Sequence, residues 1–93
     1  MAKAAPLTSI FFTNQAIADL AFWTEENPKR LEKIQELIDD AMVDPTQGIG
    51  RPKPLRYSLE GAWSRRITQE HRLVYSFTKS TLNIIQARYH YES

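Results

Sequence analysis

Residues 46–54, Thr-Gln-Gly-Ile-Gly-Arg-Pro-Lys-Pro, constrain the fold more than any other stretch of this chain. Two glycines and two prolines in nine residues cannot extend a helix and do not suit a central strand, so they divide the chain in two. Before them, Leu31, Ile34, Leu37, Ile38, Ala41 and Met42 recur every three or four residues with charges opposite, which predicts an amphipathic helix. Pro28 suits its first turn, and Asp44-Pro45 ends it. Asn27 precedes that proline and therefore avoids the helical region, which separates an earlier helix running from about Gln15 to Glu26. Asn14 is its expected N-cap, with Ile17, Leu20 and Ala21 on one face. Thr8 to Thr13 is a β-prone run.

After the connector the period changes to two. Strands are expected at Leu55 to Leu59, Trp63 to Thr68, Arg72 to Thr78 and Leu82 to Tyr91, with turns at Glu60-Gly61, Gln69-Glu70 and Lys79-Ser80. One strand, two helices and a meander make an α+β fold, with two N-terminal helices packed on one face of a small antiparallel β-sheet. At 93 residues the chain reads as a single domain (1–93), with residues 1–6 as a tail. No cysteine is present, which excludes disulfides and fits a reducing cytoplasm. No apolar run reaches the roughly 18–20 residues of a membrane span, and residues 1–6 do not read as a signal peptide.

The net charge of +1 hides a division. Residues 1–50 carry four Lys/Arg and eight Asp/Glu, and residues 51–93 carry eight and three. A basic second half suggests a polyanion-facing surface, and two segregated solvated faces are the plainer alternative. Strand parity sharpens the first reading. Leu73, Tyr75 and Phe77 point one way, and Arg72, Val74 and Ser76 the other. Trp63 and Ile67 oppose Ser64, Arg66 and Thr68, while Arg65 falls on the apolar side. On the last strand Ile85, Ala87 and Tyr89 form the apolar set. Arg66, Arg72, Arg88 and His90 then share the open face, provided the register does not slip.

Arg66 and Arg72 suit a phosphate clamp, with ion pairing to Glu70 or Glu60 as the alternative. His90 titrates near neutral pH and suits proton transfer, although a terminal-strand histidine is often a plain edge residue. His71, beside a turn, fits a structural or RNA-facing role better than a catalytic one. Trp63 fits the core better than a base stack. Lys53 is either a phosphate contact or a solvated loop lysine. No Walker loop, dinucleotide fingerprint, serine elbow or His-Glu-x-x-His motif is present, and two histidines without cysteine argue against a zinc site.

The segments Gly-Ile-Gly-Arg-Pro-Lys-Pro-Leu (48–55), Leu-Glu-Gly-Ala-Trp-Ser-Arg-Arg-Ile-Thr (59–68), Glu-His-Arg-Leu-Val-Tyr (70–75) and Ala-Arg-Tyr-His-Tyr (87–91) resemble the YoeB (Txe) family of toxin–antitoxin ribonucleases, within the RelE-like group. The helical half is similar too, from Phe22-Trp23 through Ile34 to Asp44-Pro45. The resemblance implies an endoribonuclease that cuts mRNA in the A site of the 70S ribosome and is silenced by a Phd/YefM-type antitoxin. It implies no cofactor and no metal, because the nucleotide's own 2′-OH attacks the adjacent phosphate, and it leaves room for a homodimer. The family's catalytic positions match Arg66, Arg72, His90 and Tyr91. Lys53, Arg65, His71 and Arg88 are the expected RNA contacts.

One position departs from the family pattern. Where the family usually carries a glutamate taken as general base, this chain has Lys53. A lysine at its reference pKa of about 10.4 is protonated at neutral pH. Three outcomes follow: burial turns Lys53 into a base, another group takes the proton, or the protein binds ribosome and antitoxin and cuts slowly or not at all. Retained cleavage with Lys53 as a phosphate contact is the expectation.

Overall fold

The computed structural model describes residues 5–56 and 61–89. Its elements are β1 (Ser9–Phe12), α1 (Asn14–Glu26), α2 (Pro28–Val43), β2 (Lys53–Pro54), β3 (Trp63–Arg66), β4 (Arg72–Phe77) and β5 (Thr81–Gln86). Among the described residues the strands form one sheet in the order β1-β5-β4-β3-β2. β2 to β5 pair antiparallel as a meander, and β1 closes the far edge parallel to β5, with Ile10 beside Leu82. The helices cover one face. This is the expected α+β architecture.

α2 matches its pattern. Ile34, Leu37, Ile38 and Ala41 are buried, Pro28 sits in the first turn, and Asp44 caps the end by donating its N–H to the Asp40 carbonyl. α1 differs from expectation in two ways. Its N-cap is Thr13, not Asn14: the Thr13 hydroxyl accepts from the Ala16 N–H and donates to the Ile85 carbonyl at 2.6 Å. Its inward face is Ala16, Asp19 and Trp23, whereas Ile17 is exposed. Asp19 is inside because it does a backbone's work. Its carboxylate accepts the Ala87 N–H at 2.9 Å, and the Trp23 indole N–H donates to the Ala87 carbonyl at 2.8 Å. Both polar groups of Ala87 are thereby satisfied by a helix instead of a strand, and β5 ends at Gln86.

The sheet's core face carries Leu73 and Tyr75 from β4 and Leu82 and Ile84 from β5, all fully buried. The expected set on β5 was Ile85, Ala87 and Tyr89; the strand pairs Tyr75 with Ile84, which turns Ile84 inward instead. A register shift between Val74 and Tyr75 then brings Ala87 back to the core side. Tyr89 is half exposed and has a left-handed backbone (φ 62°). Trp63 packs against the core as expected. The expected strand at Leu55 to Leu59 is not seen at residues 55–56, and residues 57–59 lie outside the described residues. The short strand sits instead at Lys53–Pro54, inside the stretch expected to be a connector. Proline is tolerated there because β2 is a sheet edge.

Candidate functional site

β3 and β4 pair so that Arg66 lies directly across from Arg72 and Ser64 across from Val74. β2 adds Lys53 beside Ser64. These residues, with Gly50 and Arg51, line a cavity of about 200 Å³ on the sheet face away from the helices. Two guanidiniums opposite each other on adjacent strands repel. Among the described residues that line the cavity there are four cations and no carboxylate. Such an arrangement is relieved by a bound anion.

Arg72 is held in place by carbonyls. One of its terminal nitrogens donates to the Thr68, Gln69 and His71 oxygens at 2.6, 3.0 and 3.1 Å. Burial first, and the neighbouring Arg66 charge second, lower its pKa below the ordinary guanidinium range. Arg66 is exposed, and its backbone N–H donates to the Gly50 carbonyl at 2.6 Å, which ties the 48–51 loop to β3. Lys53 is exposed, so the burial that a lysine base would require is absent.

The loop that carries Gly50 and Arg51 is held from below by Arg65. Its side chain is fully buried, and all five guanidinium donors are used. Nε donates to the Tyr75 hydroxyl at 3.0 Å. One terminal nitrogen donates to Asp40 Oδ2 at 2.6 Å and to the Ile49 carbonyl at 3.1 Å, and the other donates to the Asp44 and Gln47 carbonyls, each at 2.8 Å. Tyr75 in turn donates to the Pro45 carbonyl at 2.6 Å. The expectation that Arg65 contacts RNA is therefore corrected: it has neither exposure nor a free donor. Its parity, read as a break in the apolar face, was sound.

His71 is also buried. Its Nδ1 accepts the Tyr89 N–H at 2.8 Å, and its ring meets Trp23 edge-on at 4.8 Å. Its place is structural, the first of the two roles expected of it, and it does not join the cationic cavity. Arg88 does not join Arg66 and Arg72. Its guanidinium stacks on Phe22 and lines a second pocket with Trp23, Arg30 and Tyr89. The reason is the early end of β5: beyond Gln86 strand parity no longer applies. His90 and Tyr91 lie outside the described residues. The preceding residue, Tyr89, accepts the Arg72 N–H through its carbonyl at 3.1 Å.

Sequence reasoning missed Arg51, Gly50 and Ser64 as lining residues. Arg51 holds a left-handed backbone (φ 53°), as does Gly50 (φ 79°). At Gly50 an added Cβ would stand 2.7 Å from Leu37 Cδ2 and 3.1 Å from Arg65 Cβ. The available signal was the Gly-Ile-Gly-Arg run itself, because spaced glycines announce positive φ and close backbone approach.

The family model of the YoeB-like toxin of bacterial type II toxin–antitoxin systems matches residues 12–91. A curated relative, Toxin YoeB of Streptomyces coelicolor, is 48% identical over 82 residues, covering 88% of this chain and 98% of that protein. Among solved structures, the YoeB/ParE toxin from Agrobacterium tumefaciens superposes with a TM-score of 0.86 at 40% identity, over 90% of this chain and 100% of that one. The toxin in a YoeB–YefM complex from Staphylococcus aureus superposes with a TM-score of 0.82 at 38% identity, over 90% of this chain and 98% of that one. YafQ from Escherichia coli, at 16% identity over 89% of this chain and 93% of that one and a TM-score of 0.70, shares the fold. With the match running from β1 to the end of the basic half, the chain belongs to the YoeB-like toxins of bacterial type II toxin–antitoxin systems.

Proposed function

We propose that this toxin is a ribosome-dependent endoribonuclease that cuts mRNA in the ribosomal A site. The observation that supports it most is the Arg66–Arg72 pair facing across two strands in a cavity lined by cations. In the proposed step the 2′-OH of one nucleotide attacks the adjacent phosphorus. The O2′–P bond forms and the P–O5′ bond breaks, giving a 2′,3′-cyclic phosphate and a 5′-hydroxyl. One proton leaves O2′ and one reaches O5′. Arg66 and Arg72 stabilise the charge that builds on the phosphoryl oxygens, and Lys53 contacts the phosphate. His90 delivers the proton to O5′, and Tyr91 positions the scissile phosphate. The nucleophile is internal to the substrate, so the scheme needs no metal and much of the rate comes from positioning.

The partners in this reading are the mRNA, the 70S ribosome and a Phd/YefM-type antitoxin, with the cytoplasm as the compartment. The antitoxin is the kind of partner seen with the S. aureus relative, whose structure is a YoeB–YefM complex. An acidic, partly apolar segment would suit the cationic cavity. One observation favours a second reading: Lys53, not a carboxylate, lines the cavity. On that reading the chain binds ribosome and antitoxin and cuts weakly or not at all.

Cleavage on programmed ribosomes separates the two. The unsubstituted chain is expected to release fragments ending in a 2′,3′-cyclic phosphate, and Arg66→Ala is expected to lose that activity. Cleavage by Lys53→Glu alone would instead establish the binding-only reading.

A further inference from the structure

The second pocket lies where the end of α1, the start of α2 and the Arg88–Tyr89 segment meet. It holds about 320 Å³. Its chemistry differs from that of the cationic cavity. Arg30 and Arg88 line it, but so do Glu26 and Glu70, so the four formal charges cancel. Its walls are aromatic. The Arg88 Cζ stands 3.4 Å from the Phe22 ring centroid and 4.6 Å from that of Tyr89, and the Arg30 Cζ stands 4.7 Å from that of Trp23. Stacking fixes the plane of each guanidinium and leaves its edge to make hydrogen bonds. Arg88 uses one terminal nitrogen on the Tyr89 hydroxyl at 2.9 Å. Its Nε is buried and has no acceptor among the described residues, which is uncommon for a native donor.

We propose that this pocket is a nucleobase subsite that takes a guanine of single-stranded RNA. The proposal rests on the RNA-cleaving reading of the cationic cavity, since one strand would occupy both. A phosphate is a poor occupant because two carboxylates face it. A planar, uncharged group with both donors and acceptors is a good one. Guanine offers O6 and N7 to an arginine fork, and offers N1–H and the N2 amino group to a carboxylate. Adenine presents a single donor group beside an acceptor on that edge and cannot satisfy a carboxylate in the same way. Tyr89, 52% exposed, supplies a stacking surface. A paired base has this edge occupied, which selects single strands. A backbone hydrogen bond from the Arg72 N–H to the Tyr89 carbonyl joins one lining residue of each pocket. Arg72 lines the cationic cavity, and its neighbour His71 lines this one.

The test uses the full chain carrying Trp63→Phe, which leaves Trp23 in the pocket wall as the only tryptophan. Its fluorescence is titrated with non-cleavable 2′-O-methyl pentanucleotides of uridine whose central base is guanine, inosine, adenine, cytosine or uracil. The guanine oligonucleotide is expected to bind at least about tenfold more tightly than the adenine one, with inosine, which lacks the N2 amino group, in between. Arg88→Met and Glu70→Gln are each expected to reduce that preference to within about threefold. Glu70 is largely exposed and its Oε1 stands 3.7 Å from the His71 Nε2, so the isosteric Glu70→Gln changes the charge while keeping the side chain's shape. Equal affinity for guanine and adenine in the chain carrying Trp63→Phe alone would overturn the proposal, as would a preference that survives both substitutions. Arg66→Ala should weaken all five oligonucleotides alike. A guanine preference with no effect of Arg66→Ala would uphold the base pocket and overturn the phosphate reading of the other cavity.

Discussion

Arg65 and Arg66 are neighbours on β3, yet one is the most enclosed cation of the described residues and the other stands in the open cavity. Strand geometry sends them to opposite faces. On the helix side, Arg65 meets a ring of carbonyls, one carboxylate and a tyrosine hydroxyl, and every donor is used inside the protein. On the far side, Arg66 meets Arg72 and a lining without carboxylates, so its charge is left for a ligand. Residue type therefore says little about role in this strand. What decides is which face supplies acceptors. The two roles are linked, because the Gly50 carbonyl of the loop that Arg65 holds accepts the Arg66 N–H.

The sharpest way to break the comparison is Arg65→Met. It leaves the Asp40 carboxylate and several carbonyls without their donor, at a cost of about 3 kcal/mol or more in unfolding free energy. Denaturant unfolding should show that loss. If stability were unchanged, Arg65 would not be the internal strut its hydrogen bonds describe. The mirror experiment is Arg66→Ala. An exposed arginine contributes little to folding, so the melting temperature should hold while ribosome-programmed cleavage falls about 100-fold, roughly 2.7 kcal/mol of transition-state stabilisation. A large loss of stability with intact cleavage would reverse the assignment.

How much of this was legible in the chain depends on which rule each residue obeys. α2 was legible because all of its inward positions are apolar and regularly spaced. The face of α1 was not, because Asp19 turns inward to accept the Ala87 N–H and an apolar Ile17 turns out. Polarity patterns cannot register a carboxylate that replaces a strand's hydrogen bond. In β5 the adjacent Ile84 and Ile85 leave parity ambiguous, and pairing with Tyr75 settles it. The juxtaposition of Arg66 and Arg72 followed from parity and a short turn alone. Arg51 did not, since its place in the lining depends on a left-handed backbone two residues ahead of a two-residue strand. Arg88 was placed on the wrong face because the strand ends before it.

A smaller effect tests the link between the two faces. Gly50→Ala forces a Cβ onto a residue with φ 79° and against Leu37. The left-handed backbone and the contact together should cost about 2 kcal/mol. Because Gly50 also positions Arg66, cleavage should fall by more than Glu36→Ala, an exposed change on α2, lowers it. Loss of stability without loss of cleavage would show that the loop's position does not matter to the cavity.

The smallest effect is one of pH. The Arg65 hydrogen bond, with the Ile49 N–H and the Arg65 charge adding to it, lowers the Asp40 pKa below the ordinary 3.8, against an opposing desolvation. Its folded value lies below its unfolded one, so its contribution is complete above pH 3.8 and is lost as pH falls through the folded value. Tyr75 behaves in the opposite sense: burial raises its pKa above 10.0, so its contribution is complete below that value and is lost as pH rises beyond it. The strut beneath the loop is thus intact from mildly acidic to mildly alkaline pH and weakens at both ends. Asp40→Asn removes only the acid limb. In Asp40→Asn the stability difference from the unsubstituted chain should shrink as pH drops below 3.8, while the alkaline limb stays in place. An Asp40→Asn difference that stays constant across the acid range would mean that the carboxylate's charge is not what Arg65 holds.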